Sequence, residues 1–219
     1  MIVAIDGPAG SGKGTITKLV AEKCNLIYID TGATYRAVAL AVIENNIDIK
    51  DENKIIELTK KLNIDFDING HTFLNGKDVS SRIRDKDVTS IVSPISSIIK
   101  VREILVDLQR KMALGKNVIM EGRDITTVVF PNADYKFYLD ASIEERANRR
   151  YKQNLEKGMN TPYEEIYESI KNRDYNDKNK PVGALKRCDD QIYVDSSNMT
   201  IEEVVNYIVN KIGVINKWI

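Results

Sequence analysis

Gly7-Pro8-Ala9-Gly10-Ser11-Gly12-Lys13-Gly14-Thr15 decides how the rest of this 219-residue chain is read. Before it stands Met1-Ile2-Val3-Ala4-Ile5-Asp6, a short apolar run of the kind that makes a buried strand. After it, Ile16, Leu19, Val20 and Cys24 recur at helical spacing, so a helix is predicted from about Lys13 to Cys24. A strand feeding a glycine-rich turn that opens a helix is the context in which G-x-x-x-x-G-K binds phosphate. Glycines let backbone N–H groups converge on an anion, and the helix start adds its unpaired donors and the positive end of its dipole. Lys13 can reach the outer phosphates of a nucleotide. The residue after it is Gly14, so the hydroxyl that can hold Mg²⁺ arrives one place later, on Thr15.

Composition sets the outer bounds. Lys plus Arg and Asp plus Glu both number 32 and the sequence pI is about 6.6, so no basic excess calls for nucleic acid or an anionic membrane. Cys24 and Cys188 form neither a metal pattern nor a disulfide framework, and read as reduced thiols of a cytoplasmic protein. No leader pattern and no apolar run long enough to span a membrane is present in the sequence. Nothing marks a surplus apolar stripe, and a monomer is expected.

Outward from the loop, Leu26–Asp30 reads as a second strand. Thr31-Gly32-Ala33 is expected to cap a helix bearing Tyr35, Val38, Ala39, Val42 and Ile43. Asp51–Leu62 is a further helix. The texture then changes: Leu62–Ile68 alternates, Asn69-Gly70 is a hairpin turn, and His71–Leu74 pairs back. This antiparallel piece reads as an insertion, with the only histidine, His71, facing solvent at its tip. Residues 80–97 are polar with short helical pieces around Pro94. A long helix carries Val101, Leu105, Leu108 and Met112 and ends at Gly115. Val118-Ile119-Met120 is a buried strand delivering Glu121-Gly122-Arg123-Asp124 to its C-terminal end, the edge at which open α/β sheets bind ligands. Tyr135–Leu139 is the next strand. A capping box at Ser142-x-x-Glu145 opens a helix to about Lys157, and Thr161-Pro162-x-Glu164 opens another. Gln191–Val194 is the last strand and Thr200-x-x-Glu203 caps the last helix. Alternation at βαβ spacing predicts a parallel sheet wrapped by helices.

Arginine placement is a second signal. Arg36 follows Asp30-Thr31-Gly32 by one turn, Arg102 starts the long helix, Arg123 stands at a strand end, Arg146, Arg149 and Arg150 share one helix, and Arg173 lies on the next. Charged helix faces are commonly just solvated. Arg123 is harder to assign that way, because a charged group just past a buried strand faces the ligand edge. Several guanidiniums beside a phosphate loop suit transfer between two phosphates, where forked donors neutralise the migrating charge.

Together, G-P-A-G-S-G-K-G-T, D-T-G-A-T-Y-R at 30–36, E-G-R-D at 121–124 with T-V-V-F-P at 127–131, and R-D-Y-N-D at 173–177 resemble bacterial-type cytidylate kinase over the full length. The resemblance implies a P-loop NTPase core with a parallel sheet flanked by helices: residues 1–36, 98–145 and 177–219. It adds a small antiparallel monophosphate-binding insert at about 37–97 and a helical lid at about 146–176. It implies phosphorylation of CMP and dCMP by ATP with Mg²⁺. Gly7, Pro8, Ala9, Gly10, Ser11, Gly12, Lys13, Gly14 and Thr15 would hold ATP, with Lys13 on the transferred group and Thr15 near the metal. Ser93, Arg102 and Asp124 match positions that read cytosine. Arg36 and Arg123 match arginines on the monophosphate, with Thr31 nearby, and Arg173 and Asp177 match sugar contacts. Arg149 and Arg150 would act with Lys13 and Arg123 in catalysis as the lid closes and the insert encloses the monophosphate. Lys180 stands where that family usually has a phosphate-contacting arginine, Ala184 where proline is common, and Thr126 where glycine is frequent. Glu121 is either a carboxylate near the metal or a salt-bridge partner.

Other readings share the loop. A kinase of the UMP, AMP or shikimate type is the nearest, although a shikimate-type enzyme would be shorter and lack the insert. A nucleotide-switch protein needs N-K-x-D, and the Asn-Lys pairs beginning at 53, 179, 210 and 216 all lack the aspartate.

Overall fold

The computed structural model describes residues 1–67 and 69–213. In chain order the elements are β1 (Ile2–Asp6), α1 (Lys13–Cys24), β2 (Ile27–Asp30), α2 (Thr31–Glu44), α3 (Glu52–Lys61), β3 (Ile64–Phe66), β4 (Thr72–Leu74) and β5 (Lys77–Asp78). A 3₁₀ turn (Arg82–Arg84), α4 (Lys86–Ile95), α5 (Ile99–Ala113), β6 (Val118–Gly122) and a π-helical turn (Ile125–Val129) follow. The chain continues through β7 (Tyr135–Asp140), α6 (Ile143–Glu156), α7 (Tyr163–Asn179), β8 (Ile192–Asp195) and α8 (Ile201–Ile212).

By contact the chain forms two compact units: Met1–Leu26 with the chain from Asn117 onward, and Ile27–Lys116. In the first, β6, β1, β7 and β8 lie side by side and run parallel, with Val3 opposite Ile119 and Tyr135, and Leu139 opposite Val194. Val3, Ala4, Ile5, Val118, Ile119, Met120, Phe137 and Leu139 have no exposed surface. Parallel strands covered on both faces need unbroken apolar runs, which is why these stretches do not alternate. Helix α1 packs on β1 and β6 and against α8. The Thr200–Glu203 capping box is complete, and α8 buries Val204, Val205, Ile208, Val209 and Ile212 as one stripe.

The second unit is built around α2, whose residues Ala37 to Val42 are all buried. Around it gather Ile55 of α3, Ile64 of β3, Leu74 of β4, Ile83 of the 3₁₀ turn, Val88 and Ile95 of α4, and Val101 and Leu105 of α5. Strands β3, β4 and β5 make a small antiparallel sheet.

Several local expectations are corrected. Helix α2 starts at Thr31 itself, and its cap is Asp30, whose Oδ1 accepts the Ala33 N–H at 3.1 Å. A carboxylate is the better acceptor for an unpaired first-turn donor. Strand β5 and the π-helical turn were not anticipated. Ile68, placed at the end of the first hairpin strand, lies outside the described residues. The turn after β3 is held by Asp67, whose carboxylate accepts from the N–H groups of Asn69 and His71 and pairs with His71 Nδ1 at 2.7 Å. The His71 side chain is half exposed, as expected. Only half of the Ser142 box forms: Ser142 Oγ accepts the Glu145 N–H, while the Glu145 carboxylate turns to Arg149.

Candidate active site

In the first unit β1 ends at Asp6 and the glycine-rich turn carries the chain into α1. Gly7 permits this through close approach: a Cβ there would stand 2.0 Å from the Leu139 carbonyl oxygen of β7. Gly12 is the N-cap, with φ +87°, and no side chain caps the helix. The first-turn N–H groups of α1 are therefore left for an anion. Lys13 is 5% exposed and its ammonium folds back on the loop, donating to Pro8 O at 2.6 Å and Ser11 Oγ at 3.3 Å. Thr15 lies exposed in the first turn.

Electrostatics single out Lys13. Burial lowers its pKa first of all, and the guanidinium charges of Arg123 and Arg173 add to that. Glu121 and Asp6 oppose it, and the outcome is a pKa of about 7 instead of 10.5. Like charges held together in a desolvated site mark a place that an anion completes.

Strand β6 ends in Glu121-Gly122 and delivers Arg123 and Asp124. Arg123 Nε donates to Asp177 Oδ2 at 2.7 Å, and Lys180 Nζ stands 3.4 Å from Asp177 Oδ1. Asp177, near the end of α7, is thus clamped between two cations. Burial pushes its carboxyl up, but the charge and hydrogen bond of Arg123, then Lys180, hold it below the usual carboxylate range. Asp124 is 5% exposed at the start of the π-helical turn, and its carbonyl accepts the N–H groups of Val128 and Val129.

Sequence reasoning missed the support for this segment. Asp6, fully buried, accepts from Ile125 N at 2.9 Å, Thr126 N at 2.8 Å and Thr126 Oγ1 at 2.6 Å. Gln191 in turn donates to Thr126 Oγ1. The turn that follows Arg123-Asp124 is therefore pinned to the end of β1, beside the phosphate loop. The available signal was Asp6 itself, a carboxylate closing a buried strand.

The arginines of α6 divide by environment. Arg146 is 3% exposed and wholly engaged: bidentate to Asp174 at 3.1 and 2.6 Å, and donating to Ala9 O at 3.0 Å and Ala141 O at 2.9 Å. It braces the phosphate loop from behind, and its fork has no reach left for a ligand. Arg149 is half-buried, held by Glu145 at 2.8 Å and by the Ser196 carbonyl at 2.7 Å. Arg150 is exposed, and with Ala9, Gly10, Ser169 and Arg173 it lines a cleft of about 390 Å³ beside the loop.

In the second unit Thr31 is buried at the start of α2. Arg36, one turn on, donates from Nη2 to Asp30 Oδ2 at 2.6 Å. Arg102 is 5% exposed at the start of α5, donates to Ser96 O at 3.2 Å and stands over the Tyr35 ring at 5.3 Å. Ser93 is exposed on α4, and its carbonyl accepts the hydroxyls of Ser96 and Ser97.

A family model described as cytidylate kinase matches residues 3–214. The cytidylate kinase of Fusobacterium nucleatum is 52% identical over 213 residues, 97% of each chain. That of Alkaliphilus oremlandii is 48% identical over 95% of each, and that of Clostridioides difficile 44% identical over 97% of this chain and 98% of its own. Among solved structures, an uncharacterized protein from Eubacterium ventriosum aligns with a TM-score of 0.57 at 11% identity, covering 97% of this chain and 98% of its own. TT1252 from Thermus thermophilus aligns with a TM-score of 0.50 at 16% identity, covering 97% and 95%. These two share the fold.

Proposed function

The chain belongs to the cytidylate kinase family, and from that premise we propose that it transfers the terminal phosphoryl group of ATP to CMP and dCMP in one in-line displacement. The observation that supports this reading most is Lys13 itself, whose pKa is brought to about 7 first by burial and then by the charges of Arg123 and Arg173, a deficit that a bound polyanion makes good. ATP brings that charge. Its phosphates take the free N–H groups at the start of α1, and Lys13 leaves Pro8 O and Ser11 Oγ to meet the transferred group.

The acceptor needs little activation. A monophosphate has a second pKa of roughly 6, so its oxygens are largely ionised at neutral pH and no protein base is required. The task is to set two polyanions in line and exclude water. In this reading Arg123, oriented by Asp177, and Arg36, oriented by Asp30, hold the monophosphate, with Thr31 beside it. Asp177 and Arg173 serve the sugar, and Lys180 adds a point charge. Ser93, Arg102 and Asp124 read the base: the Asp124 carboxylate accepts from cytosine's amino group and repels the uracil carbonyl. Arg149 and Arg150, in a lid spanning about 146–176, cover the phosphates.

Mg²⁺ fits the residues present. Thr15 offers one exposed hydroxyl, and no group of three or more acidic, histidine or cysteine side chains among the described residues could hold a metal by itself. Mg²⁺ characteristically keeps waters and takes its remaining ligands from nucleotide phosphates. When bound, it neutralises and orients phosphate oxygens. Among the described residues no helix is long and apolar enough to cross a membrane. The balance of charge and the reduced cysteines support a cytoplasmic enzyme, and the scatter of exposed apolar side chains such as Ile99, Leu114 and Leu155 over separate elements supports a monomer.

The test is ADP formation from Mg²⁺-ATP with CMP, dCMP, UMP, AMP, GMP and shikimate as acceptors. Turnover confined to CMP and dCMP is expected. Preference for AMP or shikimate would overturn the roles given to Ser93, Arg102 and Asp124.

A further inference from the structure

We propose that Arg84 is a second arginine for the phosphate of the nucleoside monophosphate, held with Arg36 on a single carboxylate, Asp30. This deepens the reading above and rests on the assignment of Arg36 to that phosphate. Asp30 Oδ2 accepts from Arg36 Nη2 at 2.6 Å and from Arg84 Nη2 at 3.3 Å, while Oδ1 caps α2 through Ala33 N. Two guanidiniums that lie 48 residues apart in sequence thus converge on one oxygen. One carboxylate against two guanidiniums leaves a surplus positive charge, placed at the positive end of a 14-residue helix.

The donors there are far from spent. A guanidinium carries five N–H groups, and neither Arg36 nor Arg84 donates to any other group among the described residues. Arg36 Nε is buried without a hydrogen-bond partner. A phosphate monoester, with three strong acceptor oxygens and nearly two charges, supplies what is missing. Gly32 keeps the place open: a Cβ there would stand 3.1 Å from both Arg36 Nη1 and Asp30 Oδ1.

Arg84 is not explained as a structural residue. Its side chain is 64% exposed, and a single 3.3 Å contact from so solvated a guanidinium, to a carboxylate already paired with Arg36, contributes little to stability. Burial of Ile83 between the two arginines already fixes the turn to the core. Arg82, on the other side of Ile83, shows the alternative. It closes bidentately on Asp87 at 2.7 and 2.6 Å, with Asp85 at 3.2 Å, and is consumed by surface acids. The same turn therefore spends one arginine on itself and carries the other to the carboxylate that holds Arg36.

The experiment compares Arg84→Ala with Arg82→Ala in the full chain. Loss of a charge-assisted phosphate contact should raise the KM for CMP about tenfold or more in Arg84→Ala, with Arg84→Lys between it and wild type. The KM for ATP and the unfolding midpoint should stay unchanged, and Arg82→Ala should match wild type. Calorimetric titration separates phosphate contact from distortion of the turn: Arg84→Ala should weaken CMP and leave cytidine binding as it was. Equal behaviour of the two alanine variants, or equal weakening of CMP and cytidine, overturns the proposal. A wild-type enzyme that does not phosphorylate CMP overturns instead the reading on which it rests.

Discussion

Replacing Lys13 by methionine should stabilise the ligand-free protein at low pH while cutting its turnover severely. In the folded chain Lys13 titrates near 7, against 10.5 for an unburied lysine. Because the folded pKa is lowered, the unfolded chain binds the extra proton between those values, so stability rises as pH climbs through that window. Below pH 7 the folded state carries the full cost of a buried ammonium, an upper bound of roughly 5 kcal/mol for that gap. Losing the hydrogen bonds to Pro8 O and Ser11 Oγ takes back about 1–3 kcal/mol. The methionine variant should therefore be more stable than wild type at pH 6, by at most about 2–4 kcal/mol. Between pH 6 and pH 9 that advantage should shrink by roughly 3 kcal/mol as wild-type Lys13 sheds its proton. Urea denaturation of both proteins at the two pH values measures this, and taking the difference between them cancels the titrating groups that lie away from Lys13, leaving Lys13 together with its carboxylate neighbours Glu121 and Asp6. A stability difference that does not change with pH would refute the argument that burial and like charge depress Lys13. Turnover should fall about a hundredfold or more, because the lost ammonium meets charge in the transition state.

Three other perturbations follow from particular contacts. Gly7→Ala forces a Cβ against the Leu139 carbonyl and should destabilise by about 3 kcal/mol, read as a lowered urea midpoint; an unchanged midpoint would mean that the strand and the loop are not in contact. Asp174→Ala leaves Arg146 charged and buried, and should cost about 3–5 kcal/mol of stability where Arg150→Ala, at an exposed site, costs almost nothing. Asp124→Ala should lower kcat/KM for CMP by about a hundredfold with the KM for ATP nearly intact, and equal loss toward both substrates would remove Asp124 from base recognition.

Much of the molecule was legible from period and punctuation. The apolar runs at β1 and β6 and the alternation of strand and helix announced a buried parallel sheet, and Thr200-x-x-Glu203 marked where α8 starts. What escaped depends on partners far along the chain. Ile125–Val129 is a β-branched run with no helical period, yet it forms a π-helical turn because Asp6, 119 residues away, takes the Ile125 N–H. Arg146 looks in sequence like one more solvated charge on α6. Only the fold puts Asp174 and the Ala9 carbonyl around it and turns it into a buried brace. Arg84 went unmarked for the same reason, since nothing local ties a 3₁₀ turn to Asp30. The positions of Lys13, at the start of α1, and of Arg123, just past β6, were legible because the loops that follow parallel strands have a fixed relation to the sheet. On the second unit the sequence marked Thr31, Arg36, Ser93 and Arg102 but not their partners, because packing around α2 is set by long-range burial.

The central claim is direct transfer from ATP to CMP, and the stereochemistry of the transferred group tests it most directly. ATP made chiral at the γ-phosphorus with oxygen isotopes, incubated with CMP and the enzyme, should yield CDP with inverted configuration at the β-phosphorus and no labelled protein. Retention of configuration, or label recovered on the protein or only as inorganic phosphate, would contradict it.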